Sequence, residues 1–311
     1  MAATENWIRK QFGFLWNCPY QHVVVSLPQE LRGIAKGARH EVLNAMTRIA
    51  ADVLMAWALE RGYRLGLVSF FHSFGENLQF HPHYHLLVSS GGLTEGLKWK
   101  TEKSPFPAAV LMERYRARMM SFMRELVRSG TVKSTVPTEG LLKQIGMAYK
   151  HWQFFVDKMT FGETNLLLYI TRYVKRMIMS EKRIISWNSK DVTFMTKSGK
   201  VLVYTLTRFI HCITQHIPDK HFRLVRYYGF YANASRKVYL AASHWWTTIQ
   251  KPVTKSTWQE RQWRRLGYDP MVCHRCKMNL VLVTVCYGKK WIYWTWSQLL
   301  QINGVAQQLE L

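Results

Sequence analysis

Hydrophobic and polar positions recur along the chain with two periods, which divide most of it into short strands and amphipathic helices. The run HVVVSLP at 22–28 is β-branched and stops at Pro28, which predicts a short strand. From Gly37 to Glu60 the apolar residues Val42, Leu43, Met46, Ile49, Ala50, Val53, Leu54 and Trp57 return at spacings of three and four. That spacing predicts a helix, ended by Gly62. GLVSFFHSF at 66–74 and LQFHPHYHLLVSS at 78–90 are rich in aromatic and β-branched residues and flank Gly75-Glu76-Asn77, the pattern of an antiparallel hairpin closed by Gly91-Gly92.

Residues 98–108, with Pro105 and Pro107, read as a loop before a helix over 108–128, and 130–150 carries no clear period. Helical spacing returns in NLLLYITRYVKRMIM at 165–179. Leu166, Tyr169 or Ile170, Tyr173 and Met177 line one side of it, and Arg172, Lys175 and Arg176 another. Strands are expected at 183–195 and 200–206 about a Lys197-Ser198-Gly199-Lys200 turn, then a helix over 206–217 stopped by Pro218. Beyond Lys251-Pro252 the texture turns polar, then gives way to a Cys273-x-x-Cys276 pair and an apolar run. These shifts place a boundary near 250. Domain 1–250 would open with an N-terminal helical part to about 62, and 251–311 would form a basic, aromatic extension.

Composition narrows the partner. With 311 residues and 48% hydrophobic content the chain can bury a core, yet 43 Lys+Arg against 19 Asp+Glu leave a formal charge of +24. So basic a surface calls for a polyanion, nucleic acid first and an anionic membrane surface second, and a small-molecule metalloenzyme would not need it. The 13 Trp, 15 Tyr and 15 Phe could stack on bases between the cations, or fill a Trp-rich core. Five scattered cysteines do not form a disulfide framework, which fits a reducing cytoplasm. The start, MAATENWIRKQFGF, lacks a signal-peptide pattern, and no stretch approaches 18 uncharged apolar residues, so no membrane partner is expected.

Two segments carry chemistry. In His81-Pro82-His83-Tyr84-His85 the imidazoles alternate, so on a strand His83 and His85, with His81, project from one face as a platform for a divalent metal. Spacing alone does not choose the metal. In Tyr169-Ile170-Thr171-Arg172-Tyr173 the two hydroxyls stand one helical turn apart beside Arg172, Lys175 and Arg176. Such a stripe is ordinarily packed core, but a tyrosine becomes a useful nucleophile where a metal polarises a phosphate and cations share its developing charge.

A His-hydrophobic-His strand followed by a tyrosine helix resembles the HUH endonuclease superfamily. The fuller pattern resembles its two-tyrosine rolling-circle transposases of bacterial insertion sequences. YQHVVVSLPQELR (20–32), FFHSFGENLQFHPHYHLLVSSGGL (70–93), LYITRYVKRMIMSEKRI (168–184) and QHIPDKHFRLVRYYGFYANASRK (215–237) occur in the family's order. The resemblance implies an α+β fold whose central antiparallel sheet carries the His strand, with helices packed on it and a small C-terminal extension. It implies a DNA transposase: a single-strand endonuclease and strand transferase working through 5′-phosphotyrosine intermediates. His83 and His85 would hold Mg2+ or Mn2+ with His81 or Gln79 as third ligand, and His72 matches a recurrent position of unassigned role. Tyr169 and Tyr173 would be the nucleophiles. Arg172, Lys175, Arg176, Lys182, Arg183, Arg223 and Arg226 are the expected DNA contacts. Partners would be single-stranded DNA, the element's ends and target DNA, in the bacterial cytoplasm at the nucleoid.

The chain departs from that family at both ends. Members usually begin with paired zinc-binding cysteines, whereas MAATENWIRKQ starts about where that domain would end and Cys18 has no such partner. A shortened reading frame is expected, which puts recognition of the element's ends in doubt more than nicking. Cys273 and Cys276 resemble half of a zinc ribbon; a tetrahedral site wants four ligands, so two free thiols are expected, with zinc as the alternative. Rival readings are a replication initiator or relaxase of the same superfamily, and an inactive relic that still binds single-stranded DNA.

Overall fold

The computed structural model describes residues 15–16, 18–161, 178–235, 239, 268–269, 271–273, 275–280, 284–287 and 290–293. The chain divides into two compact units, Met1–Gln250 and Lys251–Leu311. The first runs β1 (Tyr20–Ser26), α1 (Arg32–Gly37), α2 (Arg39–Leu59), β2 (Gly66–Phe74), β3 (Phe80–Ser89), β4 (Gly91–Leu93) and β5 (Trp99–Thr101). It continues with α3 (Ala108–Arg128), α4 (Thr138–Met147), β6 (Gln153–Phe161), β7 (Ile184–Trp187), β8 (Asp191–Met195), β9 (Val201–Thr205), α5 (Leu206–Thr214) and β10 (Val225–Gly229). The second unit contains a hairpin of β11 (Thr284–Tyr287) and β12 (Lys290–Tyr293).

The fold is α+β, as expected. Its centre is an antiparallel sheet in the order β10-β2-β3-β1-β6. Alternation gives each strand two faces. Val23 and Val25 of β1, Leu67 and Phe71 of β2, and Tyr84, Leu86 and Val88 of β3 form one face, packed against Met46, Ala50, Val53 and Leu54 of α2 and Tyr115, Met119 and Met123 of α3. Two buried polar contacts fix α2 on that face: the Tyr84 hydroxyl donates to the Leu43 carbonyl at 2.9 Å, and the Thr47 hydroxyl donates to Ser69 Oγ at 2.9 Å. By length and composition α2 could cross a membrane, but 67% of its apolar window is buried within this protein.

The hairpin and the helix over 108–128 stand where the hydrophobic pattern puts them. Elsewhere the boundaries differ for local reasons. The strand expected at 183–195 is two strands, because Asn188 Oδ1 accepts the Lys190 and Asp191 N–H groups at 2.7 Å and turns the chain. The Gly91-Gly92 closure is itself strand β4, paired with β5 inside the expected loop. The patternless stretch 130–150 contains α4. Strands β6 and β10 are additional, and both lie at the edges of the central sheet. The helix expected over 165–179 falls largely on residues outside those described.

The β2–β3 turn is clamped from one side by β7–β9, a three-stranded sheet, and α5. Leu78 sits in the left-handed region at φ 61°, fully buried among Val192, Phe194, Tyr204, Phe209 and Cys212. Burying that side chain offsets the backbone penalty of its φ. Around it the Tyr204 hydroxyl donates to the Asn77 carbonyl at 3.0 Å, and Gln215 Nε2 donates to the Leu78 carbonyl at 3.1 Å. The buried His216 donates from Nε2 to the same carbonyl at 2.9 Å and faces Ser73 Oγ through Nδ1 at 3.1 Å.

Two expectations about stability follow. Burial holds the His216 pKa below its ordinary 6.5, with the Leu78 bond pulling the other way. The stabilisation from neutral His216 is therefore full above pH 6.5 and is lost as the pH falls below it. Urea unfolding between pH 7.5 and 5.5 should show a steeper loss for the native chain than for His216→Gln; parallel curves would contradict this. Gly229, at φ +62°, would place a Cβ 1.8 Å from the Leu65 carbonyl, whereas Gly62, at φ +76°, meets nothing within 4 Å. Gly62→Ala should cost about 1–2 kcal/mol of backbone strain, and Gly229→Ala markedly more, measured by denaturant midpoints.

Candidate functional site

The sheet face away from α2 and α3 carries the histidines. Pairing of Phe70 with His85 and of His72 with His83 places His72, His83 and His85 together on that face, because directly opposed residues share a side. Ring centroids lie 4.8 Å apart for His72 and His85, 5.0 Å for His83 and His85, and 5.3 Å for His72 and His83. One potential ligand atom from each lies within 4.8 Å of the others. Among the described residues this is the one group of three or more His, Cys, Asp or Glu side chains close enough to share an ion.

Hydrogen bonds orient two of the rings. His83 Nδ1 stands 2.8 Å from the His81 carbonyl, so that nitrogen carries the proton and Nε2 keeps its lone pair. His85 Nδ1 lies 2.9 Å from Nε2 of His22, a residue of β1 whose Nδ1 faces the Asp157 carboxylate of β6 at 3.9 Å. Between Gln21 and Val23 the β1–β6 register shifts, so that β6 passes from Thr160 to Val156. Continuing the Val24–Phe155 and Val23–Val156 pairing by one step sets Asp157 opposite His22. Burial lowers the His22 pKa to about 4, against the opposing attraction of Asp157. His72 and His85 are buried and His83 is partly open. Three neutral nitrogen donors so close together fit a divalent ion.

The residues expected to complete the shell, His81 and Gln79, lie beyond His83 toward the turn. His81 follows the same face but stands one step further out, its ring 5.2 Å from that of His83. Its pKa is lowered by burial and then by the Arg32 charge. Gln79 is exposed in the turn. Three clefts of about 330, 680 and 360 Å3 meet beside them; Arg32 and Gln29 line all three, and Lys36, Lys200 and Arg208 line one or two. The buried Nε of Arg32 has no hydrogen-bond partner among the described residues. Glu30, also in this wall, is held by His151 at 2.6 Å.

Tyr169, Tyr173, Arg172, Lys175 and Arg176 lie outside the described residues. Lys182 is exposed. Arg183 is engaged, donating from Nε to the Met195 carbonyl at 2.6 Å and from Nη2 to the Glu76 carbonyl at 3.1 Å. Arg226 pairs across from Ser69, which puts it on the helix-covered face, where it donates to Asn44. Arg223 is exposed just before β10. Cys273 and Cys276 occupy a tight turn in which Lys277 N–H donates to the Cys273 carbonyl at 2.8 Å, with Lys277 at φ 62°. Neither cysteine belongs to a group of three potential ligands among the described residues. Reading the sequence left out His22 and Asp157, and left His72 without a role. The hairpin register was the one signal that could have found His72.

Comparison with known proteins gives the context. A family profile described as "Putative transposase" matches residues 66–238, from β2 through β10. The transposase for insertion sequence element IS801 of Pseudomonas savastanoi pv. phaseolicola is 31% identical over 92% of this chain and 72% of its own length. The "Putative transposase y4qJ" of Sinorhizobium fredii is 25% identical over 84% of this chain and 71% of that protein. No solved structure matches.

Proposed function

The chain belongs to this family of insertion-sequence transposases, enzymes that act on DNA, and from that membership we propose that it nicks and rejoins single-stranded DNA at the His72, His83 and His85 cluster. The observation that carries the reading is the convergence of those three imidazoles on the sheet face away from α2 and α3. A divalent ion held there would polarise the scissile phosphate and stabilise the charge that builds on its oxygens. An all-imidazole donor set suits Mn2+ better than Mg2+.

Tyr169 and Tyr173 are the proposed nucleophiles. The phenolic oxygen forms a bond to phosphorus as the bond from phosphorus to the 3′-oxygen breaks. The products are a 5′-phosphotyrosine and a free 3′-hydroxyl. Attack by another 3′-hydroxyl restores a phosphodiester and releases the tyrosine, so the energy of the bond is conserved and no nucleotide cofactor is needed. Two tyrosines let one strand be held while another is cut, which suits rolling-circle transposition between element ends and a target in the bacterial cytoplasm. Lys182, Arg223, Arg172, Lys175 and Arg176 would contact phosphates, and the +24 charge supports a polyanionic substrate. The orphaned Arg32 Nε beside His81 supports the same substrate, because a phosphate oxygen would satisfy it.

The test is a covalent adduct. Labelled single-stranded oligonucleotides carrying candidate element ends, incubated with the protein and Mn2+ or Mg2+, should yield a complex that survives denaturing electrophoresis. Tyr169→Phe combined with Tyr173→Phe should abolish it. His72→Ala or His83→Ala should reduce it by about 100-fold or more while single-strand binding changes little. An adduct that persists in the double phenylalanine variant would falsify the mechanism.

A further inference from the structure

The contact between His22 and His85 joins the cluster to a carboxylate two strands away. We propose that Asp157 and His22 form a positioning relay that commits His85 to binding a divalent ion through Nε2. This rests on the reading of His72, His83 and His85 as a metal centre.

Proton placement follows from the geometry. A single proton occupies the 2.9 Å contact between His22 Nε2 and His85 Nδ1. If His85 is to present the Nε2 lone pair to an ion, that proton must sit on its own Nδ1, so His22 must accept through Nε2. His22 then carries its proton on Nδ1, the nitrogen that faces Asp157 Oδ2 at 3.9 Å. A carboxylate favours an N–H pointed at it, so it selects this tautomer of His22, and His22 in turn selects the ligating tautomer of His85. The opposite arrangement would put a proton on His85 Nε2 and close the site to a cation.

The fold supports the relay at each step. His22 is on β1, next to β3 in the sheet, and its side chain is 10% exposed, so water does not compete freely for Nε2. The two rings lie near parallel, 24° apart, which holds the N–H and lone pair in line. Asp157 faces His22 because it lies one step on from the Val23–Val156 pair of β1 and β6, where directly opposed residues share a side. His83 has a backbone carbonyl as its orienting partner, whereas His85 has a side chain, so this limb of the centre can be altered by substitution without touching a ligand.

The test is Mn2+ binding to the full chain without DNA, read from the loss of the free-ion electron paramagnetic resonance signal. Removing an orienting partner of a ligating histidine should weaken the metal by about 10–100-fold, so His22→Ala should raise the Mn2+ Kd by that factor. His22→Gln should restore it to within a few-fold, because its Oε1 can accept the His85 proton. Asp157→Asn, at a partly exposed site, should keep the fold and show a smaller increase. Circular dichroism monitors folding; if His22→Ala unfolds, the two conservative variants carry the comparison. Native affinity in folded His22→Ala or in Asp157→Asn, or equal weakening in His22→Ala and His22→Gln, overturns the relay. In those cases the metal centre itself stands, provided that His83→Ala abolishes binding. No Mn2+ binding by the native chain overturns the centre and the relay together.

Discussion

Tyr84 stands between His83 and His85 and points the other way. Its ring is fully buried against the helices, its hydroxyl donates to the Leu43 carbonyl of α2, and burial pushes its pKa far above the usual phenol range. Because strand side chains alternate, this one inward residue, with Leu86 and Val88 beyond it, dictates that the histidines face outward. A slip of one residue would drive the imidazoles into the core and expose a tyrosine and two large aliphatic groups, a cost of several kcal/mol. The chemistry of the histidine face is thus held in place by packing on the helix-covered one.

Register along β3 needs a second constraint, supplied by the turn. Leu78 plugs the cluster built by β8, β9 and α5, and the backbone carbonyls at 76, 77 and 78 accept from Arg183, Tyr204, Gln215 and His216. These donors come from one stretch of chain that returns over the hairpin tip. Arg183, an arginine expected to touch DNA, is among them and braces the turn through the Met195 and Glu76 carbonyls. With the turn fixed, His72 has no choice but to oppose His83.

The hairpin, its face alternation and two of the three clustered imidazoles were legible because they depend on residues within a short stretch. His72 was harder. Finding it requires folding the hairpin about its turn and counting back, and the register shift between His72 and Phe74 spoils a simple count from the tip. His22 and Asp157 were out of reach for a different reason. They lie 63 residues before and 72 after His85, and they meet it because β1 sits between β3 and β6. That strand order brings together segments far apart in the chain and is not written in any local pattern. The β6 bulge is less visible still, since an irregular ladder leaves no period in the sequence. The α4 helix escaped because its apolar face reduces to Leu141 and Ile145.

The charge and the site pull in opposite directions. A chain at +24 attracts a phosphodiester strand but repels a divalent cation, and three neutral imidazoles contribute no charge to hold one. Asp157 is a nearby carboxylate, and it acts through His22 rather than as a ligand, so it offsets only part of that repulsion. The remaining negative charge is available from the substrate. A phosphate lying between the clefts beside Arg32 and the imidazole cluster would be neutralised by the arginine on one side and would neutralise the ion on the other. Metal and strand would then each strengthen the other's binding, which makes the basic surface part of the reaction's electrostatics as well as a means of finding DNA.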